Sequence, residues 1–258
     1  MRSGKYKYLL ISTISVITFL TIWQLATDVL AIMPNYSLPS PVKVAHSFVV
    51  KLTDPKPDGA TLLQHIWASL TISLSGFAAA SLVGIPLGVL MAWRKKADLF
   101  IRPLFDLFRS VPGLGWIPVM ILFFGIGMTA KVAIVFTIAF VPVTINTYAG
   151  IKNTNPVHLW VAQTFGASDW QLLKKIALPS ALPQIFTGLR QSLNMSWVSL
   201  VAAELLGASR GLGYMIQMNR DLARADLIIV GMLTIGGFGA LMSVILQYFE
   251  DKYVKGGA

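Results

Sequence analysis

The sequence predicts an all-α integral membrane protein with about six spanning helices. The first observation behind this is compositional. Only 12% of the residues are charged, and the mean hydropathy is +0.68. A water-soluble domain carries roughly twice that charge, so too few polar side chains exist to coat a water-exposed surface and lipid must solvate much of this one. The second observation is the spacing of the charges. Residues 8–27, 66–93, 111–130, 132–151 and 227–249 carry none, and 191–209 carries a single acid, Glu204. Each run approaches the ~20 residues that cross ~30 Å of hydrocarbon as a helix, the conformation that satisfies its own backbone hydrogen bonds there. Third, the basic residues behind the net charge of +10 cluster at the ends of these runs. Membrane topology therefore accounts for the charge without nucleic acid as a partner.

Taken in order, residues 1–31 form an N-terminal spanning helix. Arg2, Lys5 and Lys7 precede its apolar stretch, which is too long for a signal peptide and is followed by no small-residue cleavage site. Residues 32–65 form an external loop, rich in Pro, Asp and Lys, mixing extended chain with a short helix. Residues 66–250 form a five-helix core interrupted by a cytoplasmic loop at 152–190, and 251–258 form a cytoplasmic tail.

Placing the N-terminus in the cytoplasm puts Arg94, Lys95, Lys96, Arg102, Arg109, Lys152, Lys174, Lys175 and Arg190 inside. Lys43, Lys51, Lys56, Lys131, Arg210, Arg220 and Arg224 are then outside. With the two termini counted, the bias is roughly two to one and supports an N-in, C-in arrangement. In the inner loop, Asn155-Pro156 is a helix-start signal, and helical spacing continues through Trp160, Phe165 and Leu173. Leu178-Pro179 is expected to stop that helix, and Pro183 to mark a second short element.

Several kinds of chemistry are excluded. The chain has no cysteine and no GxxxxGK[ST] loop, so it carries no disulfide, thiolate metal site or P-loop of its own. His46, His65 and His158 fit no metal-ligand spacing. No histidine lies on a predicted span to activate an intramembrane serine. Glu204 is the one acid well inside an apolar run; it either has a functional role or sits near the outer helix end in interfacial water. Asn194, Ser196 and Ser199 share its helix. Gly84 and Gly88 flank Pro86 in a small-xxx-small pair that permits close helix approach. Pro86, Pro118 and Pro142 each interrupt a different run.

The inner loop carries the specific signal. Ala162, Gly166, Ile176, Leu178 and Pro179 fall at the spacing of an EAA, three residues, Gly, nine residues, I-x-LP pattern. This resembles the cytoplasmic loop of ATP-binding-cassette (ABC) importer permeases. The family's leading acid falls here at Trp160, so a charged contact to the ATPase is absent or replaced by a stacking one. Leu38-Pro39-Ser40-Pro41, the segment 109–118, the segment 146–150 and Ala203-Glu204-Leu205 followed by Gly211-Leu212-Gly213-Tyr214 look like the nitrate/sulfonate/taurine group of these permeases.

The resemblance implies a type I importer-like fold in a bacterial-type inner (plasma) membrane. It implies a homodimer in lipid around one path, with an external substrate-binding protein and a separate ATPase subunit that binds ATP and Mg. This chain would hold no cofactor and would not itself be an enzyme. Trp160, Ala162, Gly166, Asp169, Ile176, Leu178 and Pro179 are expected to couple to the ATPase. Asn146, Asn194, Ser196 and Glu204 are expected to line the path for a small anionic solute of sulfonate, taurine or nitrate type. Two rivals stay open on the residues alone: an ion-gradient-driven secondary transporter and a non-transporting membrane scaffold.

Overall fold

The computed structural model describes residues 2–30, 37–205 and 207–255. Every regular element among them is helical, as the composition predicts. Residues 32–36 of the expected external loop and 256–258 of the expected tail lie outside the described residues.

The chain divides into two compact units, Met1–Trp67 with Arg210–Ile235, and Ala68–Ser209 with Gly236–Ala258. The first holds α1 (Arg2–Gln24), which a π turn extends to Val29, α2 (Pro41–Lys51) and α10 (Leu212–Asp221). It also holds the starts of α3 (Leu62–Trp93) and α11 (Ala225–Glu250). Leu10, Ile11, Ile14, Phe19 and Ile22 of α1 are exposed, the pattern of a helix solvated by lipid. Trp23 Nε1 donates to Pro39 O at 3.1 Å, and this ties the end of α1 to the chain entering α2. Ser40 caps α2, its hydroxyl accepting from Lys43 N, and Pro41 takes the first helical position, where its missing N–H costs nothing.

A buried polar knot fixes the loop that follows α2. Lys51, Asp58, His65 and Asn219 are all nearly inaccessible. Lys51 Nζ pairs with Asp58 and donates to Lys56 O at 3.0 Å. Asn219 Nδ2 donates to the other Asp58 oxygen at 2.9 Å, and His65 Nε2 lies 3.3 Å from the carboxylate. Gly211 N donates to His65 Nδ1 at 3.0 Å, so Nε2 bears the ring proton and is the donor to Asp58. Burial alone would raise the Asp58 carboxyl, but the hydrogen bonds from His65 and Lys51 and the charge of Lys51 outweigh it and hold it at about 2.

The second unit holds the rest of α3 and α11, with α4 (Lys95–Ser110), α5 (Ile117–Phe124), α6 (Met128–Lys152), α7 (Pro156–Thr164), α8 (Asp169–Leu172) and α9 (Leu178–Leu205). Close helix contact here depends on missing side chains. A Cβ added at Gly84 would stand 2.6 Å from Val143 Cγ1, and one at Gly88 would stand 2.7 Å from Thr144 O. The pair therefore lets α3 lie against α6, as its spacing predicts. α9 lies along α6, and Ser192 Oγ donates across the seam to Ala139 O at 2.7 Å. Phe105, Phe136 and Phe140 pack at the foot of α4 and α6, with Phe136 and Phe140 stacked at 5.4 Å.

Among the described residues, four helices are long and apolar enough to span: Leu10–Val29, Leu62–Trp93, Met128–Lys152 and Ala225–Tyr253. A fifth candidate is the bent pair Lys95–Ser110 and Gly113–Phe124. α9 has the length of a sixth, 28 residues, but Gln184, Arg190, Gln191 and Asn194 make it more polar. One expected span needs correction. Residues 111–130 are not one helix; a turn of 3-10 helix (Gly113–Trp116) and the short α5 follow a 92° bend after α4. Pro112 lacks a donor for the helical ladder. Gly125, at φ +70, then ends α5 before Met128 opens α6.

Candidate functional site

The loop at 152–190 builds its surface from capped, short elements. Asn155 Oδ1 accepts from Val157 N at 2.9 Å, and Pro156 takes the first position of α7. α7 ends at Phe165 and Gly166, where the chain turns with φ +79 at the glycine. Ala167 N then reaches back to Ala162 O at 3.0 Å. Ser168 and Gln171 form a reciprocal capping box at the start of α8, which satisfies two otherwise orphaned donors.

The turn leaves Trp160, Val161, Phe165 and Trp170 exposed, an apolar cluster on a segment with charged neighbours. Asp169 lies at the first position of α8, where a carboxylate suits the helix dipole. It accepts from Arg94 at 2.8 Å and from Trp93 Nε1 at 3.2 Å. Asp169 therefore faces the end of α3, while Trp160 and Phe165 present free apolar surface. Pro179 is exposed, and Ala162, Ile176 and Leu178 are half-buried.

A Cβ at Gly166 would meet nothing within 4 Å, so within the chain the residue serves the left-handed turn. One expectation about this loop changes: Leu178-Pro179 does not stop the helix. A π turn, Leu173–Ala177, runs directly into α9, and Pro183 lies inside that helix. A proline disturbs the ladder of the turn before it, and here the widened turn absorbs the disturbance so that the chain continues. Beneath it, Ala177, Ala181 and Ile185 pack with Ala92 and Ile151.

The four expected path residues do not converge on one site. Asn194 Oδ1 accepts from Ser243 Oγ on α11 at 3.1 Å. Ser196 is buried and donates to Ser192 O at 2.8 Å. Glu204 is 1% exposed and accepts from Ser69 Oγ at 2.6 Å, so it does not reach interfacial water. Asn146 alone lines a cavity of about 350 Å³ between the end of α4, the 110–116 bend, α6 and α9. Its amide donates to Pro142 O at 2.8 Å and Gln191 Oε1 at 3.0 Å, and its oxygen accepts from Gln184 at 2.9 Å. Arg109, Thr137 and Gln191 line the same cavity and were missed from the sequence. The readable signal was Gln184 and Gln191, seven residues apart and hence on one stripe of α9.

Among the described residues, no group of three or more His, Asp or Glu side chains could hold a metal ion. The family described as binding-protein-dependent transport system inner membrane component matches residues 84–255. The taurine transport permease TauC of Escherichia coli is 38% identical over 94% of this chain and 87% of its own length. The putative aliphatic sulfonates transport permease SsuC of Bacillus subtilis is 31% identical over 98% and 88%. A solved inward-facing structure of the MetNI methionine ABC transporter superposes with a TM-score of 0.64. It is 19% identical and covers 76% of this chain and 96% of that one, which shows the shared fold. The chain belongs to the binding-protein-dependent inner membrane components, the multi-pass permease subunits of ABC importers.

Proposed function

We propose that this permease passes a small organic oxyanion of sulfonate type inward. In this reading it works as a homodimer in lipid, N-in and C-in, with a five-helix core at 66–250. An external binding protein delivers the solute, and a separate ATPase that binds ATP and Mg drives the cycle. The observation that carries the ATPase reading is the exposed apolar face of Trp160, Val161, Phe165 and Trp170 around the Gly166 turn. Exposed aromatic clusters of this kind mark protein interaction surfaces. Trp160, Ala162 and Gly166 form the docking face, with Ile176, Leu178 and Pro179 carrying movement into α9 and Asp169 holding the element to α3. ATP binding shifts an inward-open to outward-open equilibrium only through differential affinity for the two states. The relatives that transport taurine and aliphatic sulfonates support the substrate class.

The test is co-purification and uptake. The permease is expressed with its ATPase and binding protein, reconstituted in proteoliposomes, and assayed for ATP-driven uptake of taurine. Gly166→Arg has room within the chain, since nothing lies within 4 Å of an added Cβ. It should insert normally yet lose the ATPase on purification or lose uptake. Full uptake with a bound ATPase in that variant would remove the docking argument.

A further inference from the structure

The cavity between the end of α4, the bend at 110–116, α6 and α9 is lined by no acidic side chain. Its polar groups are Arg109, Thr137, Asn146 and Gln191, set among apolar walls that include Trp116, Val141 and Met195. The hydrogen bonds fix which of these groups remain available.

Pro142 O can only accept, so the Asn146 group facing it at 2.8 Å is the NH2. That same NH2 contacts Gln191, so Gln191 must offer its oxygen there, at 3.0 Å. Gln184 fills the Asn146 oxygen at 2.9 Å. Asn146 is thereby engaged on both atoms, while Gln191 keeps an NH2 group that donates to no described residue. Thr137 spends its hydroxyl proton on Ala133 O at 2.8 Å. Arg109 uses Nε on Asp106 at 2.8 Å, and its two terminal NH2 groups make no hydrogen bond among the described residues. The cavity thus offers the terminal NH2 groups of a guanidinium whose Nε is paired to Asp106 outside the lining, and an amide NH2, beside apolar surface.

We infer that Arg109 and Gln191 form an oxyanion subsite at the inner end of the transport path, oriented by Asn146. It takes the charged head of a small sulfonate-type solute, whose apolar body rests against Val141 and Met195. A guanidinium fork matches the oxygens of such a head in a way that an ammonium cannot. The cavity volume of about 350 Å³ suits a solute of that size. This inference rests on the reading of the chain as an oxyanion importer, and the experiment separates the two.

The complete transporter, with ATPase and binding protein, is reconstituted and uptake is measured for taurine, ethanesulfonate and nitrate. Arg109→Gln should lower the maximal rate about tenfold or more, the usual effect of losing a charge-assisted hydrogen bond, and leave KM unchanged, because the external binding protein captures the solute. Arg109→Lys should recover part of that loss. Gln191→Leu should lower the rate several-fold, about threefold to tenfold. Asp106→Asn removes the ion pair but keeps the guanidinium, and should stay within about twofold of wild type. Wild-type uptake with an unchanged rate in Arg109→Gln overturns the subsite alone, as does an equal loss in Asp106→Asn, which would make the arginine a structural partner. A raised KM at unchanged rate also overturns it. No wild-type uptake of any of the three probes, with the ATPase active, overturns the oxyanion reading itself and the subsite with it.

Discussion

Gly166 separates a backbone requirement from a space requirement. It sits at φ +79, and a Cβ there would touch nothing within 4 Å. Replacing it with alanine therefore adds no clash within the chain. The cost is conformational: an ordinary L-residue pays about 1–2 kcal/mol to hold a left-handed conformation, and asparagine pays less because its side chain bonds locally. Alanine also favours continuing α7 past Thr164. A penalty near 1.4 kcal/mol shifts the turned form about tenfold against the alternatives. Gly166→Ala should therefore insert and melt like wild type, while ATP-driven uptake falls about fivefold to tenfold. Gly166→Asn should retain most of the activity. The assay is uptake in proteoliposomes, with ATPase retention measured on the same preparations. An asparagine variant as impaired as the alanine one, or worse, would refute the backbone argument and point to a side-chain clash with the partner.

The buried knot around Asp58 gives a stability prediction. Asp58→Asn leaves Lys51 buried with only carbonyl partners, Pro55 O and Lys56 O, and breaking such a pair costs about 3–5 kcal/mol, read as a lower melting temperature in detergent at pH 7. Because the Asp58 carboxyl is held at about 2 against an ordinary 3.8, its ion pair stabilises the fold by about 2 kcal/mol above pH 4. That contribution is lost as pH falls from 3.8 towards 2, and the Asn variant should lack this part of the acid sensitivity; identical melts at pH 7 would sink the claim. In the helix seam, a Cβ at Gly88 would stand 2.7 Å from Thr144 O, so Gly88→Leu should destabilise by about 1–3 kcal/mol or more. Gly236, with nothing within 4 Å, should accept Leu without loss, and equal melting of the two variants would count against the close contact.

The sequence made the class of this fold plain because a scarcity of charge has one cheap physical solution, helices in lipid. Local signals with local causes were also readable. Asn155-Pro156 opens a helix because an Asx side chain caps and proline tolerates the first position. Gly84 and Gly88 mark the α3–α6 contact because nothing else fits there. The short helix expected in the external loop is α2, although α10 arose where only a loop was expected. The bend at 110–116 was not readable, since an uncharged run of spanning length looks the same to hydropathy whether continuous or broken. Leu178-Pro179 misled for a related reason: proline announces a disturbed ladder, and a π turn is a disturbance that leaves the helix running. The Asp58 knot escaped because Asn219 lies 161 positions away. Tertiary pairing alone makes those residues a unit.

The same contacts decide which part of the second unit yields when the inner loop is pushed. α8 passes through the π turn into α9 with no intervening loop, so a load on α7 and α8 enters α9 directly. α9 cannot slide freely on α6: Ser192 is bonded to Ala139 O, and Gly150 and Gly188 admit Gln184 and Asn146 so closely that an added Cβ would stand 2.9 Å and 2.7 Å from them. Packed helices of this kind move together or not at all. The segment 110–116 belongs to no continuous helical ladder, since α4 and α5 meet there at 92°. If the exposed loop takes the load of an ATPase, as proposed, a displacement begun there reaches Gln191 through α9, and the break in the ladder just after Arg109 lets the separation of Arg109 and Gln191 change.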